Sequence, residues 1–189
     1  MKDFEYAGVH SRASNTTWRS FLIVWVGQFI STLGSSLTSF VAAWWVFEQT
    51  GSTTQFALTM LFIVLPFILL SPFAGIVVDR HSRRQVMILG DVVAAVSSAV
   101  LLVLLLLAQL EVWHVYLATF INSVAHVFQG PAYKASISLL VPKARLARAN
   151  GLVQLSAASG RITAPLLAGF LISTLGLAGV IGLDLITFA

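Results

Sequence analysis

The segment GIVVDRHSRRQVM, Gly75–Met87, places one aspartate, one histidine and three arginines between two strongly apolar stretches. These stretches, residues 56–78 and 86–108, contain a single charged residue, Asp91. A helix needs about 20 apolar residues to cross the ~30 Å hydrocarbon core of a bilayer. Each stretch is therefore long enough to span a membrane, and we expect the charged segment to form a short loop at one membrane surface.

The same alternation of long apolar stretches and short polar breaks continues along the whole chain. Of its 189 residues, 58% are hydrophobic, compared with about 45–50% in soluble proteins. We expect an all-α membrane protein, because the segment Leu101–Leu110 lacks the alternating pattern of a barrel strand. A helical bundle buried inside a soluble enzyme is the alternative that this composition disfavours. Six spans are expected, the sixth incomplete, at residues 21–47, 56–78, 86–108, 112–141, 152–174 and 177–189.

The polar N-terminal segment, residues 1–20, is expected to be a cytoplasmic tail. The apolar stretch after it is longer than the core of a cleavable signal, so we expect it to remain as an anchor. The chain has no cysteine, which excludes disulfides and thiolate metal sites within it. No glycine is followed by lysine, so a phosphate-binding loop for ATP is not indicated. We expect neither a metal nor an organic cofactor.

The formal net charge of +4 arises from basic residues in alternate loops, not from one basic face or tail. This distribution does not suggest binding to nucleic acid. By the positive-inside rule these loops and the N-terminus lie in the cytoplasm, so we expect a multi-pass protein of the plasma membrane. Trp44, Trp45 and Trp113 are expected at the outer interface. The basic residues of the inner side are Lys2, Arg12, Arg19, Arg80, Arg83, Arg84, Lys143, Arg145 and Arg148.

The first expected span has small and weakly polar residues at steps of three or four, which places them along one helix face. Such a face either packs closely against another helix or lines a cavity. Gln28 brings hydrogen-bonding groups that a packing face does not need, so it is a candidate cavity residue. The residues of this face are Gly27, Gln28, Ser31, Gly34, Ser35, Thr38 and Ala42.

The fourth expected span has His126 near its midpoint and Asn122 one turn before it. An imidazole at this depth can stay neutral or bind a proton near physiological pH. His126 is therefore either a proton relay or a hydrogen-bonded packing residue, and Asn122 is a further candidate for the cavity. In the third span Asp91 lies close to the cytoplasmic edge, where we expect a structural ion pair with a nearby base.

The fifth expected span places Arg161 near mid-depth, where a cation is costly without a watery cavity or an acidic partner. Asp184, in the sixth span, is the acid of this chain that can answer it. An acid in a second half of the protein is the alternative. A stripe of small residues with one proline surrounds Arg161 and permits close helix packing. It consists of Gly160, Ala164, Pro165, Ala168 and Gly169.

Several of these segments resemble the major facilitator superfamily, in particular its macrolide-efflux and enterobactin-exporter branch. His126 stands where that superfamily has an arginine implicated in proton coupling. The stripe around Pro165 is similar to its antiporter helix motif, with alanines at two glycine positions. Other similar segments are VGQFISTLGSSL, VFEQTGS, FQGPAYKASISLLVP, RANGLVQ and GLDLITF. The residues that fit its gating loop motif, which Val77 and Ser82 depart from, are Gly75, Asp79, Arg80, Arg83 and Arg84.

The resemblance implies the N-terminal six-helix half of a twelve-span transporter, built from two inverted three-helix repeats. It further implies export of a bulky apolar compound, either drug-like, as a macrolide is, or siderophore-like, by alternating access and against proton entry. The partners would then be this small molecule, the lipid bilayer and a missing C-terminal half, whose helix end would contact Asp79 as a latch. The alternatives are an uptake symporter of the same superfamily and a truncated, structural membrane fragment.

Overall fold

The computed structural model describes the backbone of residues 3–187 and the side chains of residues 18–160 and 162–187. Within this range the secondary structure consists of helices. The position of Lys2 and the side chains of Arg12 and Arg161 lie outside the described part. The elements are α1 (Asp3–Thr50), α2 (Thr53–Arg80), α3 (Arg83–Leu106), α4 (Val112–Leu140), a 3-10 turn (Lys143–Arg145) and α5 (Leu146–Thr187).

Four segments of the described chain are long and apolar enough to cross a membrane: Trp18–Thr50, Thr53–Arg80, Arg83–Leu106 and Lys143–Thr187. The helices and these four candidate spans confirm the expectation of an all-α protein with several membrane spans. Helix α4 has 29 residues, enough for ~43 Å at 1.5 Å per residue. It is not among the four, and it carries histidine, asparagine, glutamine and lysine between its apolar residues. The first helix begins at Asp3, so most of the expected tail continues into the first span as helix.

Helix α5 is broken at Gly176, where φ is 66° and ψ is 179°. A positive φ of this kind is accessible to glycine without the steric cost of a Cβ. The break separates a first arm, residues 146–175, from a second arm, residues 177–187. The break falls between the spans expected at 152–174 and 177–189. Helix α5 therefore consists of two helical segments that run in different directions.

The charged loop between α2 and α3 is short and extended. Its first residue, His81, has φ −121° and ψ 161°, and its ring Nδ1 lies 2.9 Å from the carbonyl oxygen of Val77. Ser82 caps α3, since its Oγ accepts a hydrogen bond from the backbone N–H of Gln85 at 3.2 Å. Asp79 and Arg83 are four residues apart and could pair within a continuous helix. Because the turn is extended, these two residues lie on different helices.

Small residues allow the helices to approach closely in the core. Ala164 and Ala168 of α5 are buried against Leu37 and Val41 of α1, as the packing interpretation of the small-residue stripe expects. Gly169, by contrast, is exposed in this part of the chain. A second cluster joins α1, α3, α4 and the second arm of α5, and a third joins Phe21 to the C-terminal end of α4 and the N-terminal end of α5.

The outer surface is apolar along most of the helices. Ile23 of α1, Leu139 of α4 and Leu166 of α5 are each more than 70% exposed, at 74%, 74% and 73%. Soluble proteins rarely leave such continuous apolar surfaces in water. These surfaces suit contact with lipid or with further protein within the membrane.

Candidate functional site: a polar cavity among the helices

All five helices contribute to one cavity of about 510 Å³. This volume lies within the roughly 300–1,000 Å³ that small-molecule sites occupy. Its walls differ in chemistry: α1 supplies hydroxyl groups, α3 and α4 supply an acid and amides, and α2 supplies apolar side chains. The apolar wall consists of Met60, Ile63 and Phe67.

The hydroxyl wall arises from part of the small-residue face that the sequence shows in α1. Ser36 donates a hydrogen bond from Oγ to the carbonyl oxygen of Thr32, one turn earlier, at 2.7 Å, which satisfies its donor without another helix. The other residues of this small-residue face have a different environment: Gly34, Thr38 and Ala42 are buried within the bundle and do not line the cavity. The α1 residues that line the cavity are Gln28, Ser31, Thr32, Ser35, Ser36, Ser39 and Phe40.

The acid of the cavity is Asp91 on α3. Its Oδ1 accepts a hydrogen bond from Gln129 Nε2 of α4 at 2.6 Å. The same amide nitrogen also donates to the carbonyl oxygen of Met87 at 3.1 Å. The expected ion pair with a loop base is therefore wrong for the described residues, because the partner is a neutral amide. Gln28 and His126 also face this carboxyl group.

Gly90 makes the contact between Asp91 and Gln129 sterically possible. A Cβ at this position would lie 2.8 Å from Gln129 Cδ and 2.9 Å from its Nε2. Real Cβ atoms do not approach other atoms so closely, so any larger residue at position 90 would have to displace Gln129. The backbone of α3 thus accommodates the side chain of α4 at the point where the two helices meet.

Two polar atoms of the cavity wall are buried without a hydrogen-bond partner among the described residues. They are Asn122 Oδ1 and Tyr133 Oη, and both residues line the cavity. A buried donor or acceptor that stays unpaired costs about 1–3 kcal/mol. Because the two atoms are themselves buried, a ligand or water would recover that energy only where these side chains turn toward the cavity.

The predicted site residues whose side chains are described divide into four groups in the structure. Gln28, Asn122 and His126 line the cavity, and so do Gly160, Ala164 and Pro165 of the small-residue stripe. Asp184 lies elsewhere, buried at 2% exposure between α1 and α3. Ala168 and Gly169 lie further along α5 and are not in the described cavity wall. The members of the charged loop segment that are exposed at its surface are Gly75, Asp79, Arg80, Arg83 and Arg84.

Gln129 and Tyr133 were not predicted as cavity residues, and Asp91 was predicted to have a different partner. A signal for the first two was present, because Asn122, His126, Gln129 and Tyr133 follow one another at steps of four, three and four. Residues at this spacing share one helix face. The contact between Asp91 and Gln129 depends on which helices become neighbours, and no local spacing gives that information.

A second, more open cavity of about 640 Å³ lies where the α1–α2 connection meets the start of α4. Trp113 Nε1 donates to Glu111 Oε2 at 2.7 Å, and Tyr116 Oη donates to the carbonyl oxygen of Gln55 at 3.1 Å. Trp44 and Trp113 are exposed at 39% and 54%. Exposed tryptophans at helix ends match the aromatic belt of a membrane interface.

The sequence of this chain is similar to that of a known protein family and of several named relatives. Residues 12–189 match the family described as transmembrane secretion effector. Macrolide efflux protein A of Streptococcus pyogenes is 31% identical over 170 residues, which cover 89% of this chain and 42% of that protein.

Two further relatives are also named as efflux proteins. Macrolide efflux protein A of Enterococcus faecalis is 34% identical over 122 residues, covering 65% of this chain and 38% of that protein. The multidrug efflux pump Tap of Mycolicibacterium fortuitum is 25% identical over 169 residues, covering 86% and 41%. No solved structure matches the chain. The chain therefore spans less than half the length of the curated relatives it matches.

Proposed function

The chain belongs to the transmembrane secretion effector family of major facilitator transporters, and from this premise we propose that it forms the N-terminal half of a proton-coupled exporter. In this proposal the chain supplies six helices, as two inverted repeats of three, and a C-terminal half supplies six more. The two halves expose the cavity to the cytoplasm and to the outside in turn. The N-terminus lies in the cytoplasm, and the protein resides in the plasma membrane of a bacterium.

The observation that carries this proposal is the mixed chemistry of the cavity wall. Met60, Ile63 and Phe67 offer apolar surface to a bulky compound, while Asn122 and Tyr133 offer unpaired polar atoms. Ligand sites commonly combine a predominantly apolar lining with a few convergent polar groups. The S. pyogenes and E. faecalis relatives are named as macrolide efflux proteins, which makes a macrolide-like compound the substrate we propose.

Asp91 and His126 are the groups that we propose for proton coupling. Both line the cavity, so a proton can reach them through water. As a carboxylate, Asp91 accepts a hydrogen bond from Gln129 and attracts a protonated His126. Proton uptake by Asp91 removes that attraction, because the acid becomes neutral, and so changes the force that holds α3 against α4. Release of the same proton to the cytoplasm restores the charge and completes the cycle.

The small-residue stripe and the charged loop have supporting roles in this proposal. Gly160, Ala164 and Pro165 bring α5 against α1 at the cavity edge, where the antiporter motif of the resemblance lies. Asp79, at the cytoplasmic end of α2, is exposed and free to contact a helix end of the second half. A carboxylate at the N-terminus of a helix is stabilised by the helix dipole.

The test is efflux from cells that carry the intact gene, measured with a macrolide and with a fluorescent dye. We expect accumulation of both compounds to be lower than in cells with an empty vector, and a protonophore should abolish the difference. Efflux that persists after collapse of the proton gradient contradicts proton coupling. Uptake in place of efflux would favour a symporter, and no transport by a full-length, membrane-inserted product would favour a structural role.

A further inference from the structure

Asp184 occupies a junction of three helical segments that is separate from the cavity. It lies in the second arm of α5 and is 2% exposed. Ser98 of α3 donates a hydrogen bond from Oγ to Asp184 Oδ2 at 2.9 Å. The proposed transport role leaves this buried acid without a function.

The approach of α1 to this acid depends on Gly34. A Cβ at position 34 would lie 2.7 Å from Asp184 Oδ1 and 2.7 Å from Thr187 Oγ1. The hydroxyl groups of Thr38 and Ser35 face the same carboxyl group. A single side chain from the second arm of α5 therefore contacts α1 and α3 at once.

The groups that surround Asp184 are uncharged. From α1 they are Gly34, Ser35 and Thr38, from α3 Ser98, and within its own arm Thr187. None of these residues titrates in the physiological range, and no cation of the described side chains contacts the acid. A carboxylate without a positive partner is strongly disfavoured in such a place, and burial instead favours the neutral acid.

The hydrogen bonds around the carboxyl group are incomplete in a way that a proton can remedy. Asp184 Oδ1 and Thr38 Oγ1 are both buried, and neither has a hydrogen-bond partner among the described residues. A hydroxyl can donate as well as accept, so Thr38 is able to pair with either form of the acid, and a proton on Oδ1 adds a donor that Thr38 Oγ1 can accept.

We propose that Asp184 binds a proton as a neutral carboxylic acid and acts as a clamp that holds the second arm of α5 against α1 and α3. The clamp is a positioning device, distinct from the cavity acid Asp91. It keeps its proton while the packed junction persists, and it loses the proton when the junction opens. The inference does not require export to be proton-coupled, because its readout is thermal stability.

The first test compares wild type with Asp184→Asn in the detergent-solubilised product of the intact gene. Because the folded protein keeps a proton that an unfolded aspartate releases above pH ~4, wild-type stability should fall as pH rises. At pH ~4 or below, where both the folded and the unfolded wild type keep the proton, we expect Asp184→Asn, a neutral isostere, to change Tm by no more than about 2 °C, and above that pH its Tm should fall less than that of the wild type. Parallel declines of Tm in the two proteins would overturn the proposal.

The second test addresses the fit between Gly34 and the acid. Gly34→Ala should lower Tm by about 5 °C or more, since its Cβ must displace Asp184 or Thr187. Gly27→Ala is the matched control on the same helix, where an added Cβ meets no described atom within 4 Å. Equal effects of the two substitutions would contradict the close junction.

A substitution of Arg161 distinguishes a neutral clamp from an ion pair between Arg161 and Asp184. If Arg161 neutralised Asp184, Asp184→Asn would leave a buried cation unpaired and lower Tm strongly, and Arg161→Leu would restore it. The neutral clamp predicts no such rescue. Loss of export in Asp184→Asn with unchanged Tm would likewise overturn the clamp, because it would make Asp184 a proton carrier.

Discussion

Gln129 of α4 donates a hydrogen bond to Asp91 of α3 at 2.6 Å, so the acid of the cavity is held by a neutral amide and not by a base. An ion pair would fix the acid in its charged form. An amide bonds to the charged and the neutral acid alike, since a proton can bind Oδ2 while Gln129 keeps its bond to Oδ1. Asp91 can therefore gain and lose a proton without losing its position at the junction of α3 and α4.

This relationship predicts that Asp91→Asn will retain the geometry and lose the charge. Asparagine Oδ1 can still accept the hydrogen bond from Gln129, so we expect normal insertion into the membrane. Proton-coupled export should fall by about tenfold or more, equivalent to at least ~1.4 kcal/mol. The measurement is macrolide efflux from cells, normalised to the amount of protein in the membrane. Ser138→Ala is the control, because Ser138 bonds within its own helix and does not line the cavity.

Gly90→Ala should weaken export without touching a charged group. The new Cβ would lie 2.8 Å from Gln129 Cδ, and the amide would have to move away from Asp91. The displaced atoms are the end of a flexible side chain, so the main cost is the loss of its hydrogen bond to Asp91, about 1–3 kcal/mol. We expect reduced efflux together with a lower Tm of the solubilised protein. In Gly151→Ala the added Cβ meets no described atom within 4 Å, so equal losses in both variants would contradict the steric argument.

The helices were predictable from the sequence because apolar length alone indicates a span. The grouping of Gln28, Asn122 and His126 was predictable for a related reason, since helical spacing places polar residues on faces that avoid lipid. Gly176 marks the break in α5 at the position where the sequence placed a boundary between two spans.

The pairing of side chains between helices was not predictable from the sequence. Asp91 and Gln129 are 38 residues apart, and Ser98 and Asp184 are 86 apart. Contacts at such separations depend on the packing order of whole helices, and local periodicity carries no information about it. The roles of Gly34 and Gly90 were hidden for the same reason, because each glycine accommodates a side chain from another helix.

Replacement of His126 by alanine tests the second member of the proposed coupling pair. His126 lines the cavity and faces Asp91, so its loss should weaken coupled export and leave insertion intact. Histidine is a side chain that can exchange a proton near neutral pH, so the effect of the substitution should vary with pH. Export is best measured in inverted vesicles at fixed proton gradients between about pH 5 and 8. If the wild-type rate did not change with pH and the variant matched it, His126 would be a packing residue.

Asp79→Asn tests the proposed contact between the charged loop and the second half of the transporter. Asp79 is exposed at the end of α2, and the extended turn after Arg80 prevents it from pairing with Arg83 within one helical turn. Its carboxylate is thus available to a helix N-terminus of another segment, an interaction worth about 0.3–1 kcal/mol. Removal of the charge should lower export by roughly two- to fivefold while the arginines still direct insertion. Glu48→Gln, which neutralises an exposed acid of α1, is the matched control, and full export by Asp79→Asn would leave the loop with a topological role alone.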